Sequence, residues 1–156
     1  MSQKTVMEIP ANPLLEDLRK RKKKLRVAAY CRVSTEEEEQ QNSFEVQVNY
    51  YTEKITHHDG WQLAGIFADD GISGVSTKKR DQFNEMIELC RKKKIDLILT
   101  KSISRFARNT LDCIKHVRIL KSWGIPVIFE KENIDTSNMN SEMILTCLSS
   151  FAQAES

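Results

Sequence analysis

The stretch YCRVS, residues 30–34, combines residue types that are suited to chemistry at an anionic centre. It continues an apolar segment that begins at Leu25 and that predicts a buried strand. Arg32 and Ser34 are two residues apart, so their side chains share one face if the backbone stays extended. A serine hydroxyl beside a fixed positive charge is suited to attack on a phosphate. Taken alone, the two residues are more often a solvent-exposed arginine and a strand-end serine.

A second cluster, SRFARN at residues 104–109, follows another apolar segment, Ile95–Thr100. It contributes Arg105 and Arg108, and Arg80 follows a loop rich in glycine and serine. Ligands of open α/β sheets bind at the carboxyl ends of the strands. Each guanidinium can donate two parallel hydrogen bonds to phosphate oxygens, so several of them would neutralise the charge of a pentavalent transition state.

Other common catalytic patterns are missing from the sequence. It contains no GxSxG motif, no phosphate-binding loop of the GxxxxGK[ST] type and no GxGxxG motif. The three histidines have no ligand spacing with one another or with the four scattered cysteines, so no metal site is predicted. A serine combined with several arginines is the remaining candidate for chemistry.

The elements that must position these residues alternate between strands and helices. This order predicts an α/β fold with a mainly parallel sheet of four to five strands and helices on both faces. The predicted strands are Leu25–Val33, Trp61–Ala68, Ile95–Thr100 and Ile125–Phe129, and the predicted helices are Phe44–Thr56, Phe83–Lys93, Asn109–Trp123 and one that begins near Ser141.

Composition and charge favour a soluble protein with one main domain. The chain has 156 residues, of which 40% are hydrophobic and 29% charged. No apolar run is long enough to span a bilayer and no signal peptide is recognised, so a cytoplasmic protein without a membrane partner is expected. Residues 1–26 carry eight of the 24 basic and three of the 22 acidic residues. We therefore predict a basic arm at 1–24, a domain at 25–140 that carries the candidate catalytic residues, and the start of a long C-terminal helix at 141–156.

The last helix has an apolar stripe and no termination signal. Met143, Cys147, Phe151 and Ala154 recur at helical spacing. This pattern predicts a longer helix, of which the chain contains the first part. The stripe is compatible either with packing on the protein's own sheet or with a subunit interface.

In combination, these motifs resemble serine recombinases, the catalytic domains of the resolvase/invertase superfamily. The resemblance covers residues 25–156, and the motifs are most similar in their exact residues to those of the large serine recombinases. It rests on Tyr-x-Arg-x-Ser at 30–34, DGISG at 70–74, Arg80 ahead of Phe83, SRFARN at 104–109 and FAQAE at 151–155.

The resemblance implies a function and a set of site residues. Ser34 would attack a DNA phosphodiester and become joined to the 5′ phosphate, and subunits in a dimer and then a synaptic tetramer would exchange strands on double-stranded DNA. No metal, cofactor or small-molecule substrate is implied. The implied catalytic residues are Ser34, Arg32, Arg80, Arg105, Arg108, Gln47 and Asp70, and the implied phosphate-binding residues are the same four arginines together with Ser73.

One position departs from the pattern of the small members, and two alternatives stay open. Small resolvases carry an aspartate where Ser104 stands here, so the group that accepts the proton of Ser34 is undetermined. The alternatives are a small resolvase or invertase, and a non-enzymatic α/β module that binds a partner. The second is disfavoured because a receiver-like module needs acidic strand ends, whereas arginines are predicted there.

Overall fold

The computed structural model describes residues 23–33, 44–70 and 80–155. The predicted arm at 1–24 therefore lies almost wholly outside the described residues, as does the loop at 71–77. The strands are β1 (Leu25–Val33), β2 (Trp61–Asp70), β3 (Leu97–Thr100), β4 (Val127–Phe129) and β5 (Ile134–Asp135). The helices are α1 (Phe44–Thr56), α2 (Asp81–Arg91), α3 (Ile103–Phe106), α4 (Thr110–Ser122) and α5 (Ser141–Glu155), with a 3₁₀ turn at Thr136–Asn138.

The strands form one five-stranded sheet in the order β2-β1-β3-β4-β5. The first three strand pairs in this order are parallel, and only β4 and β5 are antiparallel. The predicted mainly parallel sheet of four to five strands is therefore confirmed. Because β1 lies between β2 and β3, its carboxyl end is flanked by the ends of both neighbours, and Arg32 lies opposite Asp69 in the register.

Alternate residues of β1 serve two separate cores. Val27, Ala29 and Cys31 pack with Tyr51 and Ile55 of α1 on one face of the sheet. The intervening residues face the other helices, because successive side chains of a strand point to opposite faces. The helices on this second face contribute Phe83, Met86, Cys90, Cys113, Val117, Leu120, Ile144 and Leu148. Helices on both faces of the sheet are thus confirmed.

The final helix packs on its own domain through one side only. Ile144 and Leu148 are buried in the second core, and Cys147 and Phe151 pack partly against it. Met143 remains 48% exposed. The residues of the predicted stripe therefore differ in the described structure: Cys147 and Phe151 contact the second core, whereas Met143 is exposed to solvent.

Several helix and strand limits differ from the sequence prediction for local reasons. β2 extends two residues further than predicted, to Asp70. Gly124 ends the α4 segment as expected, and its positive φ of 80° is a conformation that glycine adopts without a steric cost. The short α3 and β5 were not predicted, since four- and two-residue elements carry too little periodicity to be recognised. No helix in the described parts of the chain is long and apolar enough to cross a membrane.

Candidate active site

Arg32 lies near the carboxyl end of β1, where it is half-buried. Its Nε atom is buried and has no hydrogen-bond partner among the described residues. Burial lowers the pKa of Arg32, and the positive charges of Arg105 and Arg80 lower it further. Since like charges have been brought together here and a buried donor is unpaired, the site favours an anion as its missing partner.

Arg105 is placed next to Arg32 by the short helix α3. Ser102 caps this helix, and its hydroxyl accepts a hydrogen bond from the Arg105 backbone N at 3.2 Å. The Arg105 side chain then reaches the end of β1, where Nη1 donates to the Arg32 carbonyl oxygen at 3.1 Å. The hydroxyls of Ser102 and Ser104 lie 3.1 Å apart. The cap and the carbonyl contact together fix the direction of the Arg105 guanidinium.

Arg80 is almost completely buried, with 9% of its surface exposed. It immediately precedes α2, and its guanidinium lies 3.7 Å from the centre of the Phe83 ring. Nη2 donates to the Phe106 carbonyl oxygen, while Nε is buried without a partner in the described structure. A buried arginine that is not fully hydrogen-bonded is costly, so this position is better suited to binding an anion than to supporting the fold.

Asp69 organises the region behind Arg80, and the sequence analysis did not select it. Its carboxylate is buried and accepts hydrogen bonds from the Tyr30 hydroxyl at 2.8 Å and from the backbone N–H groups of Gln82 and Phe83 at 2.9 Å each. It therefore stabilises the first turn of α2, directly after Arg80. Burial raises the pKa of Tyr30 to about 12, so the phenol stays protonated and donates to Asp69.

A cavity of about 290 Å³ adjoins Arg80 on the side of α4. Arg80, Arg108, Asp112 and His116 line it, together with Lys115, Asn84 and Phe83. Arg108 is exposed and immediately precedes Asn109, the N-cap of α4. The structure thus brings all four predicted arginines to the carboxyl edge of the sheet, from three different segments of the chain.

Gln47 lines a different cavity, of about 490 Å³, beside α1. Tyr51 and Glu130 also line it, and the Tyr51 hydroxyl donates to the Glu130 carboxylate at 2.8 Å. Burial and the negative charge of Glu130 raise the pKa of Tyr51. The described contacts place Gln47 near the carboxyl end of the sheet but not in the cavity that Arg80 and Arg108 share.

The remaining predicted site residues lie outside the described structure. Ser34 follows the last described residue of β1, and Ser73 belongs to the loop at 71–77. Asp70 is the last residue of β2, and its side chain is not described. The sequence signal that distinguishes Asp69 from Asp70 is the alternation along β2, since Asp69 shares a face with the buried Phe67. Within the described residues, no group of His, Cys, Asp and Glu is arranged to hold a metal ion.

The fold and the site define a class of protein: an α/β domain with a mainly parallel sheet whose carboxyl edge carries a cluster of arginines. Comparison with known proteins agrees with this class and identifies the family. The model of the resolvase N-terminal domain matches residues 27–156, and the chain belongs to that family.

Relatives and solved structures extend the same comparison. The chain is 32% identical over 133 residues to the Tn3 transposon resolvase of Escherichia coli, covering 84% of this chain and 64% of the relative. It is similar to the crystal structure of the N-terminal catalytic domain of TP901-1 integrase, with 29% identity, a TM-score of 0.67 and coverage of 83% of this chain and 96% of that one. A resolvase-family recombinase structure from Streptococcus pneumoniae gives 32% identity and the same TM-score, with coverage of 85% and 88%. The chain spans less than two thirds of the length of the resolvase.

Proposed function

We propose that this chain is the catalytic domain of a site-specific serine recombinase that acts on double-stranded DNA. The Ser34 hydroxyl oxygen attacks a backbone phosphorus atom, the new bond joins Ser34 to the 5′ phosphate, and the P–O3′ bond breaks. The Ser34 proton leaves as the nucleophile attacks, and the departing 3′ oxygen takes up a proton to become a hydroxyl. Religation reverses these steps, so the phosphoserine bond conserves the energy of the phosphodiester.

The observation that carries this proposal is the incomplete hydrogen bonding of the clustered arginines. Arg32 and Arg80 each have a buried Nε without a described partner, and Arg105 is held on the Arg32 carbonyl. Ser34 is two residues beyond Arg32. A phosphate bound there would neutralise the repulsion between the guanidinium groups and supply the missing acceptors. The same charges would favour the alkoxide of Ser34 without a histidine base.

The other predicted site residues keep their proposed roles. Gln47 and Asp70 are proposed to order the active site, and Ser73 and Arg108 to contact DNA phosphates. Asp69 joins them as a supporting residue, because it stabilises the helix turn that follows Arg80. The proposal includes the large-recombinase class, in which further domains of the whole protein would read the DNA sequence.

Assembly into a dimer and a synaptic tetramer is part of the same proposal. The exposed edge of α5 at Met143 supports it, since Met is enriched at interfaces and packs adaptably. Phe151, which belongs to the same predicted stripe, packs partly against the protein's own core and is therefore a less suitable probe of that interface than Met143.

The test is a search for covalent protein–DNA adducts on the DNA of the element that encodes the protein. Ser34→Ala should remove both cleavage and adduct while leaving the fold intact. Ser122→Ala is the matched control: Ser122 is exposed at the end of α4, where its hydroxyl donates only to the Ile119 carbonyl oxygen. Adducts that persist in Ser34→Ala would assign the nucleophile to another residue and refute the proposal.

A further inference from the structure

Asp112 connects two of the segments that carry the site's arginines. Its Oδ2 atom lies 3.8 Å from Nη1 of Arg80, which precedes α2. The same oxygen accepts a hydrogen bond from the backbone N of Arg108 at 3.4 Å. The backbone N of Asp112 in turn donates to the Asn109 side chain at 2.8 Å. One carboxylate therefore contacts a buried guanidinium and the backbone of the turn that presents a second one.

The Arg80 guanidinium depends on few groups for its direction. In the described structure it donates to the Phe106 carbonyl oxygen, pairs with the Asp112 carboxylate and interacts with the Tyr30 hydroxyl. The Phe83 ring supports its flat face. Loss of Asp112 would leave the Phe106 carbonyl oxygen and the Phe83 and Tyr30 rings, the second with its centre 5.3 Å from the guanidinium, and would remove the only carboxylate that pairs with Arg80 in the described structure. Without that carboxylate the guanidinium could turn, which would move the unpaired Nε away from a bound phosphate.

His116 lies on the other side of the same carboxylate, one helical turn further along α4. Its Nε2 atom is 3.4 Å from Asp112 Oδ1, and its ring meets the Phe83 ring edge to face at 5.0 Å between centres. The charged groups around it are Asp112 and Lys115 on α4, Arg108 before α4 and Arg80 before α2.

The surroundings keep this imidazole neutral at neutral pH. Burial lowers the pKa of His116, and the positive charges of Arg80, Lys115 and Arg108 act in the same direction, while Asp112 alone opposes them. The Asp112 carboxylate is then available to Arg80. Below its pKa, His116 becomes a cation that attracts the same carboxylate.

We propose that Asp112 is a positioning residue of the phosphate site, which aligns Arg80 with the turn that carries Arg108, and that protonated His116 withdraws it by competing for its carboxylate. The inference rests on the proposed function, because it concerns the rate of phosphodiester cleavage. A positioning role is favoured over a role in stability, since partly exposed ion pairs contribute little to folding whereas small misplacements of a catalytic group are costly.

The first arm of the test measures cleavage of the recombination site by the whole protein. Asp112→Asn removes the charge and Asp112→Ala removes all side-chain contacts. We expect cleavage to slow by about ten- to a hundred-fold with DNA affinity unchanged, the loss that misplacement of a catalytic group produces. Asp96→Asn is the matched control: Asp96 pairs with Arg26 at 2.9 Å at the start of β1, at the opposite end of the sheet. Equal losses in Asp112→Asn and Asp96→Asn would overturn the proposal.

The second arm does not depend on catalysis. In a ¹⁵N-labelled protein, the side-chain Nε–H signal of Arg80, assigned by its loss in Arg80→Lys, should shift and exchange faster with water in Asp112→Asn. It should stay in place in Asp96→Asn. An unmoved Arg80 signal in Asp112→Asn would refute the positioning role. This result would leave the proposed function intact, which is decided separately by Ser34→Ala.

The third arm is the pH profile of cleavage. The wild-type rate should fall on the acid side, below about pH 6.5, the ordinary pKa of histidine, as His116 gains a proton. His116→Gln cannot gain that charge, so its profile, normalised to its own rate at neutral pH, should lack this limb. An identical acid limb in both proteins would refute the competition between His116 and Arg80.

Discussion

Replacement of Asp69 should destabilise the domain more than its position at a strand end suggests. The buried carboxylate accepts three hydrogen bonds, from the Tyr30 hydroxyl and from the backbone N–H groups of Gln82 and Phe83. Loss of a helix-capping side chain costs about 1 kcal/mol. A buried hydroxyl left without an acceptor costs about 1–3 kcal/mol more. Asp69→Ala should therefore lower the free energy of unfolding by about 2–4 kcal/mol, on the basis of these two contributions.

Urea unfolding followed by circular dichroism measures this change, and two companion variants separate its parts. Tyr30→Phe removes only the hydroxyl and keeps the helix cap, so it should cost about 1 kcal/mol. The double variant should be less destabilised than the sum of the two, because both single variants remove the same hydrogen bond. A change within about 0.5 kcal/mol for Asp69→Ala, the range of ordinary surface substitutions, would refute this account of Asp69. Strict additivity would refute the coupling to Tyr30.

Three further predictions concern catalysis, acid stability and assembly. Arg105→Ala should slow DNA cleavage by roughly two to three decades, as expected for loss of a transition-state donor. Arg91→Ala removes only an exposed ion pair with Glu88 and should leave the cleavage rate unchanged. Equal losses in the two variants would indicate a general charge effect. The hydrogen bond from Arg26 lowers the pKa of Asp96, so this pair stabilises the fold above the unfolded pKa of about 4, and that stability is lost as pH falls through the folded pKa. In urea unfolding, Asp96→Asn should remove this part of the acid-induced loss of stability. An unchanged pH dependence would contradict the prediction. Met143→Glu should weaken self-association in sedimentation experiments without changing the unfolding midpoint, and unchanged association would exclude this edge of α5 as an interface.

The local pattern of the sequence was sufficient for most of the fold. β1 and α1 begin and end where the sequence predicted them, because the pattern of apolar residues in each extends over nine or more residues. The alternation of strands and helices was sufficient to predict a mainly parallel sheet, since parallel strands need crossover connections. The four-residue α3 is held by the contact of Arg105 with Arg32, which is distant in sequence, and the two-residue β5 pairs with the neighbouring β4. Both elements are too short for their own residues to carry a sufficient signal.

The candidate site, too, was predicted from the sequence only in part. Residue type and spacing alone selected Arg32, Arg80, Arg105 and Arg108, because clustered guanidinium groups at strand ends suit few other purposes than binding anions. Only the tertiary structure decided how they meet, with Arg105 donating to the Arg32 carbonyl across 73 residues of chain. It also decided what Asp69 binds beneath the site. The alternation along β2 is enough to turn Asp69 inward, but its partners, the Tyr30 hydroxyl on the paired strand and the first turn of α2, are long-range contacts that no local pattern contains.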